Sequence, residues 1–219
     1  MNEPMVIRFQ AMTINSETPI ASLLRMAKAI AMKLDLKNVD EWMTWELNGY
    51  PANVTMPDYR KIRCELKAVH PHHGLIAAPV ASWKLEEKLT MVSVASSAGD
   101  LEAGAADKGT LMFRLPTELA HRLQASQPEF LRFDLVRVTG HHTMLNIVDQ
   151  VRNRLHDWSL ELERQGILGE NLQFSLQDKN RAPMTTNNFN FNGNVSNAGV
   201  IGVDNHDFTQ QNTLQVTRR

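Results

Sequence analysis

Histidines are the side chains most suggestive of chemistry in this sequence. His70, His72 and His73 fall in one turn, and His141 and His142 fall just before a strongly periodic segment. Imidazole nitrogens are common zinc ligands, so two such clusters could in principle supply a metal site. No carboxylate stands at a recognisable ligand spacing, however, and solvated histidines in turns are far commoner than metal ligands. His70, His72 and His73 are kept as metal candidates, but no metal or other cofactor is expected.

A second candidate for chemistry is the segment Arg152-Asn153-Arg154-Leu155-His156. It resembles the arginine-spacer-histidine signature of HEPN domains, helical ribonuclease toxins in which such a pair acts around a scissile phosphate. Arg152 and His156 enclose three residues, fewer than that family places between them. The alternative interpretation is two surface side chains one helical turn apart. Arg152 and His156 are the catalytic candidates, and a non-enzymatic protein is favoured over an enzyme.

Other familiar catalytic patterns are missing from the sequence. It has no Gly-x-x-x-x-Gly-Lys-Ser/Thr phosphate loop, no dinucleotide-binding Gly-x-Gly-x-x-Gly and no Gly-x-Ser-x-Gly elbow. Cys64 is the only cysteine, which excludes an intrachain disulfide and a zinc site of several cysteines from one chain. Its place on the inward side of a predicted strand indicates a buried thiol rather than a nucleophile.

Length, composition and charge favour a soluble protein. The chain has 219 residues, is 42% hydrophobic and carries a formal net charge of -1, which suits one domain with an appendage. Proteins that bind nucleic acid usually have a concentrated basic face, and a net charge close to zero gives no sign of one. Nucleic-acid binding is therefore not supported. No run of about 18 apolar residues is present, and the first ten residues lack the pattern of a signal peptide. We therefore expect a cytoplasmic protein without a membrane partner.

Hydrophobic periodicity predicts the helices that would position these side chains. Apolar residues at steps of three and four predict an amphipathic helix over residues 20–34. Asn38 followed by Glu41 resembles a capping box and predicts a second helix that ends at Gly49. The clearest helix covers residues 144–162, where apolar residues follow an a/d pattern. It is expected to pack against the helix at 20–34, with a seam between two chains as the alternative.

Shorter segments complete an α+β fold in which helices pack on a small, mostly antiparallel sheet. Alternation predicts a half-buried strand at 61–69, with Cys64 on its inner side, and a returning strand at 75–80. Further strands are predicted at 110–115 and 131–139, with helices at 82–89 and 116–125. Residues 96–109 are rich in Gly, Ala, Ser and Asp without a hydrophobic period, which predicts a surface loop.

The C-terminal segment differs in composition from the rest of the chain. Between Asn187 and Thr217 there is no lysine or arginine, and asparagines alternate with apolar residues. We therefore divide the chain into a domain at 1–180 and a β-forming tail at 181–219. The tail is too short to bury a core, so it needs a partner surface: its own domain, neighbouring copies, or another protein. Self-assembly is favoured over a disordered extension, and the apolar residues expected to mediate it are Phe189, Phe191, Val200, Ile201 and Val203.

Three segments together resemble the AbiTii domain of bacterial abortive-infection proteins. They are Ser22-Leu23-Leu24-Arg25-Met26-Ala27, Trp45-Glu46-Leu47-Asn48-Gly49-Tyr50 with Pro57-Asp58-Tyr59-Arg60, and Val151-Arg152-Asn153-Arg154-Leu155 with Trp158-Ser159-Leu160-Glu161-Leu162-Glu163. The resemblance covers most of residues 20–174 and implies a role in phage defence. The same residues also have structural interpretations: Gly49 would end a helix, and Arg60 would pair with either Glu46 or Asp58.

Two functions follow as expectations. The favoured one is a non-enzymatic assembly or sensing component of a defence system, a homo-oligomer that meets another defence protein or a phage trigger. The alternative is a toxic effector enzyme, for which the expected activity is that of a ribonuclease using Arg152 and His156.

Overall fold

The computed structural model describes residues 3–78, 80, 82–106, 109–125, 133–170 and 173–187. Within these ranges the chain forms eight helices, a short 3₁₀ turn at Asp58–Arg60 and six strands. The helices are α1 (Met5–Ile14), α2 (Ile20–Lys33), α3 (Lys37–Asn48), α4 (Trp83–Thr90), α5 (Ala98–Ala105), α6 (Thr117–Ala125), α7 (His141–Arg164) and α8 (Leu176–Asn187). The strands are β1 (Lys61–Arg63), β2 (Glu65–His70), β3 (Gly74–Ala77), β4 (Met91–Ser93), β5 (Thr110–Arg114) and β6 (Asp134–Gly140). The expected α+β class is confirmed.

The long helix α7 is the centre of a helical body made of α1, α2, α3, α5 and α7. Its predicted a/d residues are all buried, and Leu155, Trp158 and Leu162 have no exposed surface. The helix therefore forms as the periodicity predicts, and its buried face lies against other helices of the same chain. α7 packs more extensively against α5 and α1 than against α2, the neighbour that the sequence suggested.

Two antiparallel sheets extend from the helical body. β1 pairs with β4, and a four-stranded sheet has the order β3-β2-β6-β5. The single strand predicted at 61–69 is divided at Cys64, whose backbone N–H donates to the carbonyl of Thr90 at 2.8 Å. Because of this break, the two halves of the predicted strand belong to different sheets.

The prediction of a surface loop at 96–109 was wrong, since helix α5 lies within this segment. Ser97 begins this helix by accepting a hydrogen bond from the backbone N–H of Asp100 at 3.1 Å. Ala98, Leu101 and Ala105 are buried against the helical body. The period was missed because the helix has only eight residues and two of its three buried side chains are alanines.

Several other boundaries differ from the sequence prediction. α1 and β4 were not assigned, and α3 begins at Lys37 without the capping bond proposed for Asn38. α8 runs through residues 181–187, which the composition assigned to the tail, and it buries Ala182 and Thr185. None of the described helices is long and apolar enough to cross a membrane. The predicted assembly residues Phe189, Phe191, Val200, Ile201 and Val203 lie outside the described residues.

Candidate functional site

Parts of two of the segments that carry the family resemblance, around Glu46 to Arg60 and at Arg154, meet near the C-terminal end of α3. Gly49 follows the helix with a φ of +92°, a conformation that favours glycine. A Cβ at this position would stand 2.9 Å from the carbonyl oxygen of Ala95, so a larger residue would also collide with the backbone. The turn at Gly49 brings Tyr50 back against the segment that follows β4, where its N–H donates to the same Ala95 oxygen at 2.8 Å.

Glu46 and Arg60 form an ion pair with no exposed side-chain surface on either residue. The guanidinium of Arg60 donates through Nε and Nη2 to the two carboxylate oxygens of Glu46. Through Nη1 it also donates to the carbonyl oxygens of Val94, at 3.3 Å, and Ser96, at 2.6 Å. Both charges are therefore neutralised and hydrogen-bonded, as burial away from water requires.

Aromatic side chains complete what we call the Glu46 cluster: Trp42, Glu46, Tyr50, Tyr59 and Arg60. The hydroxyls of Tyr50 and Tyr59 each donate to Oε1 of Glu46 at 2.6 Å. Trp42 donates from Nε1 to the hydroxyl of Tyr59 at 2.9 Å.

A third segment of the chain contacts the same cluster from α7. The guanidinium of Arg154 lies over the ring of Tyr59 in a cation–π arrangement. The Cζ atom of Arg154 is 4.1 Å from the ring centroid. The cluster thus connects α3, the turn before β1 and the long helix α7. These three places are far apart in sequence but share one set of interactions.

The environment of the two phenols keeps them protonated. Burial raises the pKa of Tyr50, and the negative charge of Glu46 raises it further. The same two causes, in the same order, raise the pKa of Tyr59. Both hydroxyls therefore act as hydrogen-bond donors to Glu46, and the arrangement is suited to positioning α3 against its neighbours.

Sequence reasoning considered two partners for Arg60, and the structure selects Glu46. Asp58 pairs instead with Lys61, at 2.6 Å between oxygen and nitrogen, on the exposed side of the turn. The role of Glu46 as the acceptor for two tyrosines was missed. One signal for it is its helical spacing from Trp42, four residues earlier, which places Glu46 on the core face of α3.

The catalytic candidates Arg152 and His156 lie elsewhere on α7, against the end of α1 and the segment that joins α1 to α2. Arg152 donates to the carbonyl oxygens of Asn15, at 3.2 Å, and Thr18, at 2.7 Å. His156 Nδ1 lies 2.9 Å from the hydroxyl oxygen of Thr13. Each side chain therefore has a polar partner in the helical body.

The metal candidates form a turn between β2 and β3. Nδ1 of His70 accepts from the backbone N–H groups of His72, at 3.1 Å, and His73, at 3.2 Å. This nitrogen closes the turn and is occupied by these contacts. Across the described ranges, no group of three or more His, Cys, Asp or Glu side chains is placed to hold a metal ion.

Cys64 lies in the core as its strand position predicted. Its side chain is 5% exposed, and burial raises the pKa of the thiol, which the nearby Arg137 partly offsets. A raised pKa keeps the sulfur protonated and weakens it as a nucleophile.

Comparison with known proteins finds a family but no individual relative. The AbiTii family matches residues 5–187, from the first residue of α1 to the last residue of α8. Neither the curated proteins nor the solved structures include a match.

Proposed function

Because this chain belongs to the AbiTii family, whose role is in abortive infection as a defence against phage, we propose that it is a non-enzymatic assembly or sensing component of such a system. In this proposal, copies of the α+β domain are held together by the C-terminal tail. The assembled domains then present repeated surfaces to another defence protein or to a phage trigger.

The observation that carries the non-enzymatic part is the closure of the Glu46 cluster. Charged side chains at an active site usually face a cleft that a substrate can enter. Glu46 and Arg60 instead have no exposed surface, and each bonds to groups of its own chain. These motif residues therefore hold parts of the domain together, which supports a structural role for the motif over a catalytic one.

The chemistry of the tail supports the assembly part of the proposal. Residues 188–219 follow α8 and lie beyond the segment that the family matches. They combine Phe189, Phe191, Val200, Ile201 and Val203 with asparagines, a composition suited to pairing strands between chains. Because so short a segment cannot bury a core alone, it needs a partner surface, and in this proposal a neighbouring copy supplies it.

The test removes residues 188–219 and leaves α8 intact. We expect light scattering to give the mass of several chains for the full-length protein and of one chain for the truncated protein. A full-length protein with the tail residues in scrambled order controls for the loss of mass and composition. If the truncated and full-length proteins contain the same number of chains, assembly by the tail is wrong.

A further inference from the structure

An edge of the four-stranded sheet has the properties of a strand-binding surface. β3 pairs with β2 on one side and, within the described ranges, has no strand on the other. Natural sheets usually protect such edges with charged residues, proline or a bulge, because an open edge invites pairing with another chain. The four residues of β3 are Gly74, Leu75, Ile76 and Ala77, which include no charge and no proline.

Apolar side chains are exposed on one face beside this edge. Val69 of β2 and Leu75 of β3 stand directly opposite each other, and they are 40% and 41% exposed. A further strand alongside β3 would place a side chain next to Leu75 on the same face. An aromatic residue there would extend the row, since aromatic and aliphatic residues make favourable cross-strand pairs.

The opposite edge of the sheet, unlike β3, carries a charged residue. β5 ends with the charged Arg114, whose carbonyl oxygen accepts a hydrogen bond from Arg137 at 2.6 Å. The most exposed apolar side chain of β5 is that of Met112, which is 63% exposed. The two edges therefore differ in charge, while both display an exposed apolar residue.

We infer that β3 accepts residues 189–192 from the tail of a neighbouring copy as a fifth strand. Phe189 and Phe191 alternate with Asn190 and Asn192, so both phenylalanines would lie on the face of Leu75. The asparagines would lie on the other face, and the backbone groups of β3 would gain hydrogen-bond partners. This inference rests on the proposed assembly through the tail and names the surface that receives it.

The position of α8 places the start of the tail away from the end of α7 that adjoins the sheet. Thr185 accepts a hydrogen bond from Trp158 at 3.3 Å, so the end of α8 lies beside this part of α7. Trp158 is about 27 Å along α7 from its junction with β6 at Gly140, at 1.5 Å per residue. Phe189 follows Asn187 by two residues, which span at most about 7 Å. The segment therefore begins far from that junction of α7 with the sheet.

Such an interface joins two different surfaces, a donated strand and an accepting edge. Each copy carries both surfaces, so it can donate a strand and accept one. The two functions can accordingly be removed separately. Leu75→Lys places a charge on the accepting edge and leaves the tail unchanged. The double variant Phe189→Lys with Phe191→Lys disables the donated strand and leaves β3 unchanged.

The experiment measures the mass of these full-length variants by light scattering, alone and mixed. We expect each variant alone to contain one chain, and an equal mixture to contain two, because one supplies the strand and the other the edge. Met112→Lys, a charge on the opposite edge strand, is the matched control and keeps the mass of the parent. Ala77→Lys is a second edge variant, used if circular dichroism shows that Leu75→Lys is unfolded.

The outcome separates this inference from the proposed function. If removal of the tail reduces the mass but the folded edge variants keep the mass of the parent, the tail pairs with another surface and the inference is wrong. The same holds if a mixture of the two variants stays at one chain. If removal of the tail leaves the mass unchanged, tail-driven assembly itself is wrong.

Discussion

The helical body and the four-stranded sheet differ in which side chains they bury and which they expose. The helical body encloses a complete ion pair, Glu46 with Arg60, together with two tyrosine hydroxyls that donate to it. The sheet leaves Val69, Leu75 and Met112 substantially exposed to solvent. The first region satisfies the polar groups of this pair and of the two tyrosines internally, whereas the second has apolar surface that another chain can cover. Stability is therefore expected to depend on the first region and association on the second.

The largest expected effect comes from breaking the enclosed pair with Arg60→Ala. This change leaves the carboxylate of Glu46 buried without its cation, which typically costs about 3–5 kcal/mol. We expect the free energy of unfolding to fall by that amount in denaturant titrations of the full chain at one protein concentration.

The neighbouring residue provides the matched control. Lys61 pairs with Asp58, but their side chains are 42% and 54% exposed, so Lys61→Ala should cost no more than about 1 kcal/mol. Equal losses for Arg60→Ala and Lys61→Ala would show that enclosure of the Glu46 cluster contributes nothing to stability.

Alkaline pH should weaken the helical body through the same cluster. The only two tyrosines of the chain are Tyr50 and Tyr59, and folding raises the pKa of both above the value of about 10 for an unfolded tyrosine. Protonated phenols therefore favour the folded state fully below about pH 10, and this contribution falls as the pH rises further.

The expected loss above about pH 10 is about 1.4 kcal/mol per pH unit for each tyrosine. Unfolding measured against pH should show this slope, and Tyr50→Phe should reduce it. In the parent, phenolate absorbance should increase together with unfolding. A phenolate signal that rises reversibly near pH 10 in the folded protein would contradict the protected state of these hydroxyls.

The smallest effect is expected in the sheet, from Met112→Ser. Met112 is 63% exposed, and surface substitutions usually change stability by no more than about 0.5 kcal/mol. Its cross-strand partner Val138 is 6% exposed, so Val138→Ala is the buried comparison on the same pair of strands and should cost more. If both variants lose the same stability, the contrast between exposed and enclosed side chains does not extend across this face of the sheet.

Local patterns were sufficient for elements with a long or strict period. The a/d residues of α7 and the three-and-four spacing of α2 predicted both helices, since each helix buries one continuous stripe. They failed for α5, whose eight residues bury two alanines and one leucine. The Ser97 and Asp100 pair was available as a start signal, because a serine three residues before an acidic side chain resembles a capping box.

The candidate site was only partly visible in the sequence. The motif segments around Glu46, Arg60 and Arg154 were recognised, and Glu46 was one of two partners considered for Arg60. Spacing along the chain could not choose between Glu46 and Asp58, since fourteen residues and a turn separate Glu46 from Arg60. Burial makes the choice, because a guanidinium removed from water needs the acceptor that is enclosed with it.

The sequence by itself determined the α+β class, the long helix α7, the buried thiol of Cys64 and the change of composition near Asn187. These features depend on the type and period of residues that are close together along the chain. Only the tertiary structure decided that motif residues of α3, of the turn before β1 and of α7 share the Glu46 cluster. It also decided that Arg152 contacts the segment between α1 and α2, and that His156 contacts Thr13 at the end of α1. Those contacts join residues distant in sequence, and their burial and direction arise when the helices pack together.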